Sequence, residues 1–308
     1  MQDMNATQQR IAFFGLGVMG APMAARVAKA GYPLTVVDPA PGKAADFARE
    51  HGCTAAAAGA EAIRDAAVVI LVLPTSAQVR EVVAQITPGL RAGMTIVDMT
   101  SGSPAVTRAI AEELRPLGVA MLDAPVSGGA VRAVTGELSI MIGGEATDIA
   151  TVRPILETMG TALHLCGDIG AGQTVKALNN LVYSSGILIA VEALLIGQRA
   201  GVDPAVIVDV INSSSGVNGA TRNIMKSQVL SRAFKPAFRL DLMLKDLTIA
   251  ADLARETKTT APNTLLTREA WSAAHAILGP GQDNSAIARY VEMLVGDELS
   301  SPSVPRAE

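Results

Sequence analysis

Lys176 and Asn180 are a lysine and an amide four residues apart in the apolar segment VKALNNLVY. In a helix this spacing places both side chains on one face. An apolar setting lowers the pKa of a lysine toward the range in which it donates or accepts a proton, and a neighbouring amide can orient an oxygen of a small molecule. A lysine near a helix start that reaches solvent is the alternative. The spacing alone leaves both interpretations open.

A second candidate is the segment DAPVSGG, Asp123 to Gly129, which follows an apolar run. The hydroxyl of Ser127 and the backbone N–H groups of Gly128 and Gly129 can converge on an anion without side-chain obstruction. This pattern predicts a site for a substrate carboxylate. An ordinary glycine-rich connection is the alternative.

A glycine-rich turn near the N-terminus has the pattern of a dinucleotide site. Its G-x-G-x-x-G directly follows the apolar run Ile11–Phe14 and precedes a helical pattern, so that helix N–H groups point at a diphosphate. An acid ends the next apolar run, eighteen residues after the last glycine, where its carboxylate can accept ribose hydroxyls. The alternative is a glycine-rich turn in another parallel α/β protein. The predicted cofactor contacts here are Gly15, Leu16, Gly17, Val18, Met19, Gly20 and Asp38.

Two further loops follow predicted strands and should lie at the same edge of a sheet, beside the nicotinamide. They supply the predicted contacts Leu73, Pro74, Thr75, Thr100 and Ser101. A cation and an acid, Lys245 and Asp246, lie on a later helix that carries leucine and methionine at core spacing. A solvated charge pair is the alternative for these two.

The elements that must position these residues alternate between short apolar runs and helical patterns up to about Gly167, which predicts βαβ units and a parallel sheet. Beyond residue 167 the sequence indicates only helices, beginning with a long apolar one over about 173–200. We therefore predict an α/β fold in which a Rossmann-type doubly wound parallel sheet is joined by a long helix to an all-α domain. The predicted domains are 9–172 and 173–298, with loose termini at 1–8 and 299–308. The predicted strands are 11–14, 34–37, 68–73, 95–98, 119–123, 138–142 and 162–165.

Composition favours a small-molecule ligand. The 308 residues are 49% hydrophobic and 18% charged, with a net charge of −4 and no basic run, which argues against nucleic acid or a membrane surface as partner. Two isolated cysteines and three scattered histidines predict neither a disulfide framework nor a metal site, and we expect a cytoplasmic protein. Asn179, Asn180 and Glu192 argue against a membrane span in the long helix.

Four motifs in order give the chain its resemblance to the β-hydroxyacid dehydrogenase family, which includes 3-hydroxyisobutyrate dehydrogenase and tartronate semialdehyde reductase. They are the glycine motif followed by APMA, the DAPVSGG segment, the spacing Gly172-x-x-x-Lys176-x-x-x-Asn180, and Lys245-Asp246. The resemblance extends from about residue 11 to about residue 295.

This resemblance implies an active site in a cleft between a Rossmann domain and a helical domain. It implies that Lys176 is the general acid/base. It also implies that Asn180 and the Ser127-Gly128-Gly129 backbone bind the substrate's hydroxyl and carboxylate. It makes Lys245 a cofactor contact. The implied reaction interconverts a small β-hydroxy acid and its semialdehyde or keto form, with a nicotinamide cofactor carrying the hydride.

Two departures from the family pattern concern the cofactor. Many relatives carry Asn-Arg where this chain has Asp38-Pro39, and the arginine serves a 2′-phosphate; a carboxylate repels that phosphate, so we predict NAD in preference to NADP. Thr100-Ser101-Gly102-Ser103 stands where the family more commonly has a Ser-Thr-rich loop, so the sequence does not define which atoms of this loop contact the nicotinamide.

Competing interpretations differ in the lysine. Imine reductases on this fold generally lack it, and a non-catalytic dinucleotide-binding module could discard it, whereas this chain keeps Lys176. The helical domain of 6-phosphogluconate dehydrogenase is much longer than the one predicted here, which argues against that enzyme. The loops at 213–218 and 131–135 are expected to form the substrate pocket, and the sequence does not define their shapes. The substrate therefore stays open among 3-hydroxyisobutyrate, glycerate or tartronate semialdehyde, threonate, serine and sulfolactaldehyde. The long apolar helix predicts a homodimer or homotetramer.

Overall fold

The computed structural model describes residues 9–307, and the predicted loose N-terminus at 1–8 lies outside this range. The chain divides into two compact units, Met1–Lys176 and Ala177–Glu308. The first unit contains the sheet and the second is helical.

Within the described residues of the first unit, nine strands form one sheet in the order β3-β2-β1-β4-β5-β6-β8-β7, with β9 paired to β8. Strands β1 to β6 are mutually parallel, which is the Rossmann order 3-2-1-4-5-6. The strands β1 to β9 are Ile11–Phe14, Leu34–Val37, Thr54–Ala55, Val68–Leu71, Thr95–Asp98, Ala120–Asp123, Val126–Ser127, Leu138–Gly143 and Gly160–Gly167.

Helices cover both faces of this sheet, and alternate residues of each strand are therefore buried in two separate cores. Ile11 and Phe13 pack on one face, whereas Ala12 and Phe14 pack on the other. A parallel sheet buried on both sides has this near-continuous apolar sequence. The covering helices α1 to α7 are Gly20–Lys29, Lys43–His51, Gly59–Ala62, Ser76–Ile86, Pro104–Leu114, Gly129–Thr135 and Ala146–Leu156.

The predicted fold class is confirmed, and the structure differs from the predicted elements at both edges of the sheet. Strand β8 runs antiparallel to β6 and β7, so the sheet is not wholly parallel. The two-residue strands β3 and β7 were not predicted, because they are too short to show an alternating pattern. Residues 131–135, which we expected to form a loop, lie in helix α6 instead.

The second unit contains the helices after α8 and a core of its own. The fully buried Trp271 packs in a cluster with Leu194 of α8 and Met243 of α11. Beyond residue 167 the described residues form no strand, only one isolated bridge. Helices α8 to α13 are Ala171–Arg199, Pro204–Asn212, Gly219–Asn223, Leu240–Glu256, Pro262–Leu278 and Ile287–Val295.

Helix α8 is the long apolar helix of the sequence, and it begins two residues earlier than predicted. Among the helices of residues 9–307 it alone has the length and composition of a membrane span, a test that the core helix of a soluble protein also passes. Its exposed positions include Val182, Ile189 and Ile196, each seven residues from the next.

The C-terminal segment is held more firmly than the predicted loose terminus at 299–308. Residues 299–307 form no regular helix or strand, but the Leu299 side chain is fully buried. The Leu299 and Ser300 N–H groups donate to Glu292 and Gln198, and the Ala307 N–H donates to the Ser231 carbonyl. The segment lacks periodicity because only two separated apolar side chains, Leu299 and Val304, pack on the helical core.

Candidate active site

Four parallel strands end at the same level of the sheet, and the predicted cofactor residues follow these ends. Phe14 pairs in register with Leu71, Leu71 with Asp98, and Asp98 with Asp123. The carboxyl ends of β1, β4, β5 and β6 therefore form one edge. Ligands of open α/β sheets bind at this edge, next to the point where the strand order reverses.

The three motif glycines meet different surroundings. A Cβ on Gly15, whose φ is +94°, would lie 2.2 Å from the Val72 carbonyl oxygen, and one on Gly20 would lie 1.9 Å from the Gly15 oxygen. Both glycines are thus required by the turn and by helix–strand packing. A Cβ on Gly17 would meet nothing within 4 Å. The protein therefore leaves space beside Gly17, where a pyrophosphate needs close backbone approach.

The N-terminus of helix α1 also fits an anionic cofactor. No side chain caps this end, and its first turn contains no acidic residue. The first N–H groups of a helix have no partner within the helix and favour negative charge. The loop and the helix start are therefore suited to hold a diphosphate.

Asp38 lies directly after β2 and has a role that the sequence did not reveal. Its Oδ2 accepts a hydrogen bond from the Leu16 N–H at 2.7 Å, and its Oδ1 accepts one from the Ala40 N–H at 3.0 Å. The Lys43 ammonium lies 3.6 Å from Oδ2. The carboxylate thus holds the glycine loop while lying at the predicted ribose position.

The loops after β4 and β5 are joined to each other. The Leu73 N–H donates to Thr100 Oγ1 at 3.0 Å, and the Thr100 N–H donates to Asp98 Oδ1 at 3.0 Å. Thr75 caps helix α4 by accepting from the Gln78 N–H. The structure therefore brings together the residues predicted from these two loops at the sheet edge.

The DAPVSGG segment makes a sharp turn at its two glycines. Ser127 lies in β7, opposite Ser139 of β8. Gly128 and Gly129 have φ values of +131° and +67°, a region that side-chain-bearing residues rarely adopt, and helix α6 begins at Gly129 with no side-chain cap. The Ser127 hydroxyl and uncapped N–H groups therefore lie close along the chain, as a carboxylate site requires.

Lys176 is buried, with 8% of its surface exposed, in the second turn of helix α8. The start of this helix is held by Asp123, a residue that sequence analysis assigned only to the start of DAPVSGG. Asp123 accepts hydrogen bonds from the Gly170 and Gln173 N–H groups, and because Gly170 lies 47 residues after Asp123, the sequence gave no local signal of this contact. Burial raises the pKa of the Asp123 carboxyl, and these N–H donors oppose the shift.

In the helical unit, the predicted residues Asn180 and Lys245 share a partner. The Asn180 amide nitrogen donates to Asp246 Oδ2 at 2.5 Å, and the Lys245 ammonium lies 3.3 Å from Asp246 Oδ1. Asp246 is almost fully buried, at 1% exposed. Its carboxylate therefore orients the Asn180 amide, so the Lys245–Asp246 pair is not an ordinary solvated one.

Two family models match the chain in succession. Residues 10–168 match the NAD binding domain of 6-phosphogluconate dehydrogenase, and residues 170–291 match the NAD-binding domain of NADP-dependent 3-hydroxyisobutyrate dehydrogenase. The 2-hydroxy-3-oxopropionate reductase of Escherichia coli is 33% identical over 296 residues, which cover 94% of this chain and all of that protein.

The chain belongs to the β-hydroxyacid dehydrogenase family. The structure of a Mycobacterium tuberculosis 3-hydroxyisobutyrate dehydrogenase with L-serine agrees, with a TM-score of 0.86, 32% identity, and coverage of 92% of this chain and 99% of that one. An imine reductase from Myxococcus stipitatus in complex with NAD⁺ shares the fold of this family, at a TM-score of 0.63 and 17% identity, over 92% of this chain and 99% of that one. As a β-hydroxyacid dehydrogenase family member, the chain is an NAD(P)-dependent oxidoreductase.

Proposed function

We propose that this enzyme interconverts a small β-hydroxy acid and its semialdehyde or keto form, with Lys176 as the general acid/base. The observation that carries the proposal is the buried position of Lys176 in helix α8. The first turn of this helix is hydrogen-bonded to the end of β6, which lies at the same edge of the sheet as the glycine loop. A buried amine at this edge is suited to proton transfer rather than to solvation.

The proposed proton path involves one atom of the protein. In oxidation, Lys176 Nζ accepts the proton of the substrate hydroxyl; in reduction, it returns that proton to the nascent alkoxide oxygen. When bound, the nicotinamide cofactor supplies or accepts the hydride. The Ser127 hydroxyl and the Gly128 and Gly129 N–H groups hold the carboxylate, and Asn180, oriented by Asp246, holds the hydroxyl.

The substrate class is tested by absorbance of the reduced cofactor across a panel of acids. The panel contains 3-hydroxyisobutyrate, glycerate, serine and threonate, and 2-methyl-1,3-propanediol is the matched control because it replaces the carboxylate of 3-hydroxyisobutyrate with CH₂OH. We expect turnover of at least one acid and none of the diol. Equal turnover of acid and diol would contradict the carboxylate site. In the reductive direction, tartronate semialdehyde is compared with a cyclic imine, and faster reduction of the imine would favour an imine reductase.

We propose that NAD is preferred over NADP because of Asp38. Replacing Asp38 with Asn is expected to move the ratio of kcat/KM for NAD over NADP toward NADP by about tenfold or more, since a tenfold change needs only about 1.4 kcal/mol. The change removes a negative charge from the predicted 2′-phosphate position. It also removes the carboxylate that lies 3.6 Å from the Lys43 ammonium, so that the positive charge of Lys43 is no longer balanced by residue 38. Asp46→Asn, an exposed acid of α2 paired with Arg49, is the control and should leave the ratio unchanged. An unchanged ratio in the Asp38 variant would refute this role.

We also propose that the enzyme is a homodimer or homotetramer, with the exposed apolar face of α8 at the subunit contact. Val182 and Ile196 are each 71% exposed, which is unusual for aliphatic side chains at regular helical spacing. Light scattering should give a mass of two or four chains, and Val182→Glu should lower it. A monomeric mass at micromolar concentration would contradict the proposal. The cytoplasmic location stays a prediction from composition.

A further inference from the structure

We infer that Asp123 and Gln173 are positioning residues that fix the Lys176-bearing turn of helix α8 to two strand ends of the sheet. This inference rests on the proposed function of Lys176. It gives Asp123, the first residue of DAPVSGG, a task separate from that of the Ser127-Gly128-Gly129 turn.

Asp123 acts as a cap for a helix that begins far from it in the sequence. Its Oδ1 accepts from the Gly170 N–H at 2.6 Å, and its Oδ2 accepts from the Gln173 N–H at 2.7 Å. These N–H groups belong to the end of a helix that lacks internal acceptors, and a carboxylate there is also favoured by the helix dipole. The fully buried Asp123 side chain therefore ties the end of β6 to the first turn of α8.

The surrounding glycines make this contact possible. A Cβ on Gly143 would lie 2.5 Å from Asp123 Oδ1, and one on Gly172 would lie 2.9 Å from Oδ2. The same added Cβ on Gly172 would lie only 2.2 Å from the Met141 carbonyl oxygen. The helix start is thus packed against β8 as well as β6, with little room for the carboxylate to move.

Gln173 ties the same turn to the loop after β5. Its Nε2 donates to the Thr100 carbonyl oxygen at 2.7 Å, and its Oε1 accepts from the Gly102 N–H at 2.8 Å. The side chain is 1% exposed, so these two backbone groups have a partner that water cannot readily replace. The predicted nicotinamide loop and the lysine helix are therefore held in one network.

Lys176 follows Gln173 by three residues, which places the two side chains on neighbouring positions of one helix face. A shift of the Gln173 backbone therefore moves Lys176 relative to the loops after β5 and β6. A misplacement of about 1 Å can cost about 10²-fold in rate. This network sets the position of Lys176 without touching the reacting atoms.

The test compares Asp123→Asn and Gln173→Met with the surface controls Asp65→Asn and Gln85→Met in the full-length enzyme. The Asn variant keeps size but turns an NH₂ group toward one backbone N–H, and the Met variant keeps length but leaves the Thr100 and Gly102 backbone groups without this partner. We expect kcat to fall by about 10- to 100-fold in each site variant, with cofactor affinity retained. The primary deuterium isotope effect on kcat should rise, because the chemical step is slowed. The controls should resemble the parent enzyme.

Amide hydrogen exchange of residues 170–176 supplies a readout that does not depend on turnover. We expect faster exchange there in Asp123→Asn, at temperatures well below unfolding. Unchanged exchange, or faster exchange with unchanged kcat and isotope effect, would overturn the positioning role. A parent enzyme that turns over no acid would instead refute the proposed function, while the exchange data would still decide whether Asp123 holds the turn.

Discussion

Replacing Lys176 with Met should lower kcat by about 10²- to 10⁴-fold, the usual contribution of a positioned proton donor or acceptor. The Met side chain has similar length and suits a buried position, so we expect the fold and cofactor affinity to be retained. The assay is steady-state turnover of the best acid in the panel, with cofactor affinity measured separately by fluorescence of the reduced form.

A second variant separates proton transfer from positive charge. Lys176→Arg keeps a cation, but a guanidinium does not release its proton at ordinary pH. We expect this variant to be nearly as slow as Lys176→Met. Lys29→Ala, an exposed lysine of α1, serves as the control. Near-parental activity in either Lys176 variant would reject the proton-transfer role.

Local patterns in the sequence were enough to predict the elements that carry the cofactor loop. Strands β1, β2 and β5 have the predicted ends, because each is a short apolar run that a glycine, an acid or a turn residue interrupts. The order of strands and helices then implied the Rossmann sheet, and the sheet edge followed from it. Two of the residues predicted from the β4 and β5 loops, Leu73 and Thr100, are hydrogen-bonded to each other.

The contacts that fix the site in place had no local pattern. Asp123 lies 47 residues before Gly170, and Gln173 lies 73 residues after Thr100, so neither partnership can be seen in a sequence window. The same holds for Asp246, whose bond to Asn180 joins residues 66 apart. Such contacts depend on how helices and strands pack. The resemblance to a family implied which residues do chemistry, but it gave no indication of the buried groups that contact them.

The edge of the sheet also shows why periodicity has limits. Residues 131–135 were predicted to form a loop, but they lie in α6, which is only seven residues long and is bounded by glycines at both ends. Strand β7, with two residues, has no period at all. Both elements owe their conformation to the neighbouring β8 and to packing against α1, rather than to intrinsic propensity.

Replacing Gly17 with Ala should weaken cofactor binding while leaving the fold intact. A Cβ at this position meets no protein atom within 4 Å, so we expect an unfolding temperature equal to that of the parent enzyme. The same methyl group would occupy the space where the pyrophosphate approaches the backbone. We expect the Kd for NADH to rise by about tenfold to 100-fold, which corresponds to about 1.4 to 2.7 kcal/mol.

Gly20→Ala is the matched comparison, because its Cβ would lie 1.9 Å from the Gly15 carbonyl oxygen. This variant must shift helix α1 away from β1, so it should lose both stability and cofactor binding. Thermal unfolding and NADH fluorescence titration on the two variants separate the effects. If Gly17→Ala binds NADH like the parent enzyme, the open space beside Gly17 does not receive the diphosphate; if it unfolds like Gly20→Ala, the space belongs to the protein's own packing instead.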